Sequence, residues 1–339
     1  MLTRPPMRPT PASLPWLLAL CVMGAFAASP TDGTGARTGT GPGAPDPTPD
    51  MGGREIVEAS RQRHNRFPYV FERVDLITTD RKNRRNVRKA RRYWRVDNDG
   101  GLRFLWVFEQ PPELRGVAVL ANHAPDGRAR DEGLYLPAFG PKLKRGSSGD
   151  DGPVEARAAM ASTNILGTDF SIQDLSPEDI DAHHYQRLAD TRLGDTRYFQ
   201  VAATPRDPAL SRASGITRRI LHIRQDTLLT ERCDYLNANG RTVKRLTHHD
   251  LSPHRLGSWR AGMSLMEDMS TGHSTLIKVR ERVDSEDYVP PPLFQAESLF
   301  AGRHLQSPQE WALAAKSAPA PLNEGLNPGA MDTPEEPRP

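Results

Sequence analysis

The chain has 339 residues, with 45 Lys and Arg against 42 Asp and Glu, and a net charge of +3, too even a balance to name a partner by electrostatics alone. Its 2 cysteines, Cys21 and Cys233, form no CxxC redox or zinc motif. Cys21 falls in a leader, so Cys233 is left alone and no internal disulfide is expected. No repeat of solenoid length is visible.

The leader reads as an export signal. Arg4 and Arg8 precede an apolar run from Leu14 to Phe26, and Ala25-Phe26-Ala27 has the small-x-small form of a cleavage site. The run is short for a bilayer span, although an uncleaved anchor helix is the alternative. Bulky Leu20 before Cys21 speaks against a lipoprotein signal. The expectation is a signal peptide over 1–27 and a soluble periplasmic protein. Residues 28–50, rich in Pro, Gly, Thr and Asp, have almost nothing to bury and read as a disordered linker. Residues 51–305 are long enough for one β domain with a substantial core. Residues 306–339 read as a second disordered segment, apart from a turn of helix around Trp311-Ala312-Leu313.

Within 51–305 the first element is a helix from Gly52 to Asn65, with Ile56, Val57, Ser60 and His64 along one side and Pro68 ending it. Tyr69 to Thr79 has the β-branched and aromatic content of a strand. Val87 to Val96 and Leu102 to Gln110 form a hairpin through Asp97-Asn98-Asp99-Gly100-Gly101. In its second strand Leu102, Phe104, Trp106 and Phe108 share one face. Gly116 to Ala121 and Gly133 to Leu136 are short strands about a Pro125-Asp126-Gly127 turn, and Pro137 stops the second. Gly146 to Asn164 is a flexible segment with a small-residue helix, suited either to a lid or to a surface loop. Ser176-Pro177-Glu178-Asp179 is a helix start. Strands then follow at Arg197 to Thr204, Thr217 to Arg224, Thr230 to Leu236, Thr242 to His249, Trp259 to Met269 and Thr275 to Val283. Trp259, Ala261, Met263 and Leu265 share a face of the fifth of these. Short strands with turn chemistry between them predict an antiparallel sheet or barrel rather than βαβ units.

Two clusters stand out. Nine basic residues lie between Arg81 and Arg95 with no acid among them. They read either as a solvated hairpin or as a patch for an anionic membrane surface, an acidic partner or a lipid headgroup, with Arg84, Arg85, Arg88 and Arg92 the candidates. The histidines His183, His184, His248, His249 and His254 also cluster, but neighbours on a strand face opposite sides, so His248 and His249 do not readily share a metal. No nucleophile elbow, phosphate-binding loop, HExxH or calcium loop is present, so no metal, cofactor or catalytic residue is expected.

The segments Leu134-Tyr135-Leu136-Pro137-Ala138 and Gly167-Thr168-Asp169-Phe170 carry a more specific signal. With Val243 to Thr247 and Met266 to Thr275, they resemble the outer membrane lipoprotein-sorting family, the LolA-like periplasmic carriers. The resemblance covers most of residues 52–305. It implies a mainly β (α+β) fold, a half-open antiparallel β-barrel with a few helices covering a hydrophobic cavity. It further implies a carrier, not an enzyme, that moves a lipid or lipoprotein acyl chain toward the outer membrane. Phe104, Trp106, Phe108, Trp259, Met263 and Leu265 are then the candidates for the cavity wall. An inner-membrane exporter or an outer-membrane acceptor would be its partner, and nucleic acid would not. The alternative is a periplasmic regulatory or docking module that binds a lipoprotein or membrane-protein partner through the same sheet.

Overall fold

Alternating side chains and polar turns drive most of the described chain into strands. The computed structural model describes residues 50–64, 68–123, 129–140, 143–144, 162, 164–175 and 180–317. The leader, nearly all of the linker, most of Gly146 to Asn164 and the Ser176 helix start lie outside the described residues. The first half of the sheet is β1 (Tyr69–Thr79), β2 (Arg85–Val96), β3 (Leu102–Gln110), β4 (Ala118–His123), β5 (Ala129–Tyr135) and β6 (Leu143–Lys144). The second half is β7 (His183–Arg187), β8 (Thr191–Leu193), β9 (Thr196–Pro205), β10 (Arg218–Arg224), β11 (Thr230–Leu236), β12 (Thr242–Pro253), β13 (Trp259–Asp268) and β14 (His273–Val283). The strands expected from the sequence are present, with β12 longer than expected by four residues at its C-terminal end.

The topology is two meanders joined by their outermost members in sequence. The order is β6-β5-β4-β3-β2-β1-β14-β13-β12-β11-β10-β9-β7, with β8 pairing β9, and every pairing is antiparallel. The first strand therefore lies beside the last, with Phe71 opposite Val283 and Thr79 opposite Ser274. Among the described residues the end strands β6 and β7 do not pair with each other, and the sheet is a half-open barrel.

The sheet is covered on its inner face and, over β1 to β5, on its outer face as well. On the inner face, α1 (Gly53–His64) packs against β7 and β9 and contributes Ile56, Val57 and Ala59 to the main core. The segment from Ile165 through α2 (Ile172–Leu175) plugs the same side, burying Ile165, Phe170 and Ile172. It is pinned by Asp169, whose backbone N–H donates to Thr275 Oγ1 (2.9 Å) while the Thr275 hydroxyl donates to its carboxylate (2.7 Å). α3 (Pro208–Ser214) follows β9, capped by Asp207, which accepts from Ala209 N, and closed by Gly215 at φ 72°.

The outer face of β1 to β5 carries a second core. Phe71, Tyr93, Leu105, Val107 and Leu120 meet Val289, Leu293, Phe294, Leu299 and Trp311 from the chain after β14. That strap includes α4 (Ala296–Phe300) and α5 (Pro308–Ser317). The helical turn expected at Trp311 is thus part of a helix ten residues long, and residues 306–317 belong to the strap. Arg91 holds the strap, donating to the carbonyls of His304 (3.0 Å) and Gln306 and pairing with Glu109 (2.9 Å). Arg95 donates to the Val289 carbonyl (3.2 Å).

A cationic cavity inside the half-open barrel

The period of β2 divides the basic run. Arg88, Ala90, Arg92 and Trp94 stand opposite Leu76, Val74, Glu72 and Val70 of β1 on the inner face, while Arg91, Tyr93 and Arg95 face the strap. Of the four arginines expected to act together, Arg84 and Arg85 are exposed, and Arg84 pairs with Asp80 (2.6 Å). Arg88 turns inward and donates to the Leu166 carbonyl of the plug. Arg92 pairs with Glu72 inside the barrel. The structure therefore separates them, and the run is not a single outward patch.

Inside the barrel, α1 and strands β1, β2 and β10 to β14 enclose a cavity of about 370 Å³. Apolar side chains form much of its wall, among them Val70, Trp94, Leu246, Trp259 and Val279. Cys233, buried and in no disulfide, is part of that wall. One polar part of the wall surrounds Glu72, which is only 2 % exposed. Its direct cross-strand neighbours are Arg92 on β2 and Arg282 on β14. The register shift in β14 that omits Arg280 between Val279 and Glu281 is what turns Arg282 inward. The Glu72 carboxylate accepts from Arg92 Nε at 2.7 Å and Arg282 Nε at 2.6 Å. Burial works against its ionisation, yet the two guanidiniums hold its pKa below the ordinary range.

More positive charge is present than Glu72 balances. Arg260 also lines the cavity and donates to the His64 carbonyl at 2.7 Å; burial and the neighbouring Arg282 and Arg92 lower its pKa. With Arg61 and Arg219, the wall carries five arginines against the two carboxylates Glu72 and Asp174. Two histidines of the wall are neutral. His64 Nδ1 accepts from Trp259 N–H (3.1 Å), so its Nε2 donates to the Thr227 carbonyl (3.1 Å). Burial and nearby Arg260 push its pKa down to about 4. His248, against Ser264 Oγ at 2.8 Å, is likewise held at about 4 by burial and by Arg92. A polar wall of Asp174, which accepts from Tyr235 Oη (2.8 Å), and Arg219 is shared with a second cleft of about 330 Å³ beside α3.

The aromatic and aliphatic candidates fall into three groups. Phe104, Trp106 and Phe108 face inward but are sealed in the core behind the cavity wall, with Arg92 5.8 Å from the Trp106 ring centre. Trp259 lines the cavity. Met263 and Leu265 do not: their neighbours Ser264 and Met266 face inward, so these two lie on the opposite face of β13. The expected face held more apolar residues, whereas the true inner face carries Arg260, Ser264 and Met266. Strict alternation ends near Gly262, opposite Asp250 at φ 55°, where an added Cβ would meet the Asp250 carboxylate at 2.4 Å; Trp259 and Arg260 both reach the cavity beyond it. The residues missed by sequence reasoning are Glu72, Arg260 and Arg282, whose isolated charges gave no cluster to notice.

A family model described as an uncharacterized protein family matches residues 100–300, more than half of the chain. The chain belongs to the family of that model. Solved structures with the same fold include a lipoprotein-sorting domain from Vibrio parahaemolyticus, described as a putative outer membrane one. It is 22% identical, with a TM-score of 0.64 over 73% of this chain and 98% of that one. A DUF1329 family protein from Desulfovibrio piger is 21% identical (TM-score 0.59, covering 72% of this chain and 98% of that one). A LolA superfamily protein from Nitrosomonas europaea is 14% identical (TM-score 0.55, again 72% and 98%). No curated protein matches the sequence. In this chain the inner face of the sheet has room for a ligand in the cavity that Glu72 helps to line.

Proposed function

We propose that this LolA-like protein is an exported, periplasmic carrier that holds a lipid or lipoprotein acyl chain. The observation that carries the reading is the cavity of about 370 Å³, partly walled by Trp94, Leu246, Trp259 and Val279 and bounded by the unclosed sheet. That volume is near the lower end of the roughly 300–1,000 Å³ usual for ligand sites, enough for one chain rather than a whole diacyl lipid. Removing apolar surface from water at roughly 25 cal/mol per Å² supplies affinity without any catalytic group. The leader over 1–27 delivers the protein and the linker over 28–50 follows it. Among the described residues no helix is long and apolar enough to cross a membrane. An exporter or acceptor in the two membranes would load and unload the chain.

Delipidated protein should bind a fluorescent fatty-acid probe saturably, and replacing Leu246 by Trp to fill the cavity should abolish that binding while circular dichroism is retained. Absence of saturable binding to the wild-type protein would overturn the reading.

A further inference from the structure

A purely apolar acyl-chain site has no use for guanidiniums, yet three half-buried ones converge on one wall of this cavity. Arg92 and Arg282 flank Glu72 from neighbouring strands, and Arg260 approaches from β13 beside them. Glu72 lies between Arg92 and Arg282 and Asp284 lies near Arg260, so three arginines face two carboxylates and a net charge of about +1 remains there. The neighbouring histidines His64 and His248 add no charge at neutral pH, since both titrate at about 4.

The hydrogen-bond inventory points the same way. A guanidinium carries about five N–H donors. Arg92 uses two on Glu72, and Arg282 uses one on Glu72 and one on the Ala261 carbonyl (2.9 Å). Each keeps donors for a further acceptor, and both side chains retain access to the cavity, at 25% and 18% exposure. Planar forks of this kind suit carboxylate and phosphate oxygens. The adjacent apolar wall of Trp94, Leu246 and Trp259 suits a hydrocarbon chain. Glu72 itself keeps two of the guanidiniums oriented before any ligand arrives, so little side-chain ordering is left for binding.

We infer that the cavity selects an amphiphile with one hydrocarbon chain and an anionic head, a carboxylate or a phosphate, whose head sits on Arg92, Arg260 and Arg282. The inference rests on the carrier reading and narrows it: the ligand is recognised by charge as well as by its chain.

The test compares ligands of one chain length in displacing the fluorescent fatty-acid probe from delipidated protein at neutral pH and physiological salt. Hexadecanoate and hexadecyl phosphate should compete at least about tenfold more strongly than hexadecanol, the ratio that one charge-assisted hydrogen bond supplies. Hexadecyltrimethylammonium should be weaker than the alcohol. Inorganic phosphate alone should not displace the probe. Arg260→Gln leaves both partners of Glu72 in place; it should erase most of the preference for the anions while leaving hexadecanol unchanged. Arg260→Lys, which keeps the charge, should retain part of it. Equal competition by acid and alcohol in the wild-type protein would overturn the charge selection while leaving a carrier. Failure of every chain-bearing ligand to compete would remove the carrier reading, and this inference with it. Displacement by inorganic phosphate would show a simple anion site and overturn the amphiphile.

Discussion

Replacing Glu72 by Gln is the sharpest test of the charge arrangement inside the barrel. The change keeps the side-chain shape but removes the only carboxylate between Arg92 and Arg282, at a position 2 % exposed. Removing one member of a buried ion pair leaves the other charge uncompensated and costs ~3–5 kcal/mol. The lower half of that range is expected here, because both arginines keep some contact with cavity space. The effect should also depend on pH in a defined sense. The folded-state pKa of Glu72 is depressed, so its contribution is complete above its unfolded value of about 4.3 and is lost as pH falls through the lower folded value. Urea unfolding of wild type and variant at neutral and acid pH measures both quantities. The difference should be largest at neutral pH and shrink on acidification. A neutral-pH loss below about 1 kcal/mol, or one that does not change with pH, would refute the reasoning.

Three other outcomes are expected. Met266→Ala should destabilise by ~2–4 kcal/mol because Met266 is fully buried, whereas Met263→Ala should cost under ~1 kcal/mol on the half-exposed opposite face; similar losses in thermal melts would show the face assignment to be wrong. Arg91→Met removes several bonds to the carbonyls of residues 304–306 and should cost ~2–3 kcal/mol, read as faster proteolysis near Arg303 and a red shift in Trp311 emission. Stability should fall as pH drops from about 6.5 toward 4, because His64 and His248 have depressed pKa values and the unfolded chain takes up protons first, worth ~1.4 kcal/mol per pKa unit for each; His64→Gln, which can keep the bonds to Trp259 and Thr227, should flatten the melting-temperature profile.

Much of the fold is legible in the sequence because it is built from local signals. Period-two alternation and turns such as Asp97 to Gly101 and Asn237 to Gly240 mark the strands, and α1 shows its helical spacing. The site is far less legible, for a physical reason: its inner wall mixes charged and polar side chains with apolar ones. Counting apolar residues along β13 selects Met263 and Leu265, while Arg260 and Ser264 face the cavity. The basic run from Arg81 to Arg95 is conspicuous in sequence, but the groups it meets are distant. Arg91 and Arg95 bind carbonyls at 289 and 304–306, and Arg92 shares Glu72 with Arg282. Nor does alternation alone reveal that both faces of β2 and β3 are covered, because the second cover arrives only with the strap after β14.

The pairing of β1 with β14 has a consequence for how this barrel forms. β1 can hairpin with β2 at once, but its other edge has no partner until almost the whole domain has been delivered, since Phe71 waits for Val283. Loop-closure entropy makes such a seam late and slow. Until it forms, a long strand bearing Val70, Val74 and Leu76 presents unpaired backbone groups, the kind of edge that recruits other chains. A chain that emerges N-terminus first therefore passes through an assembly-prone interval that ends only when its last strand arrives, and a holding chaperone at the point of emergence would shorten the time that edge stays open to strangers.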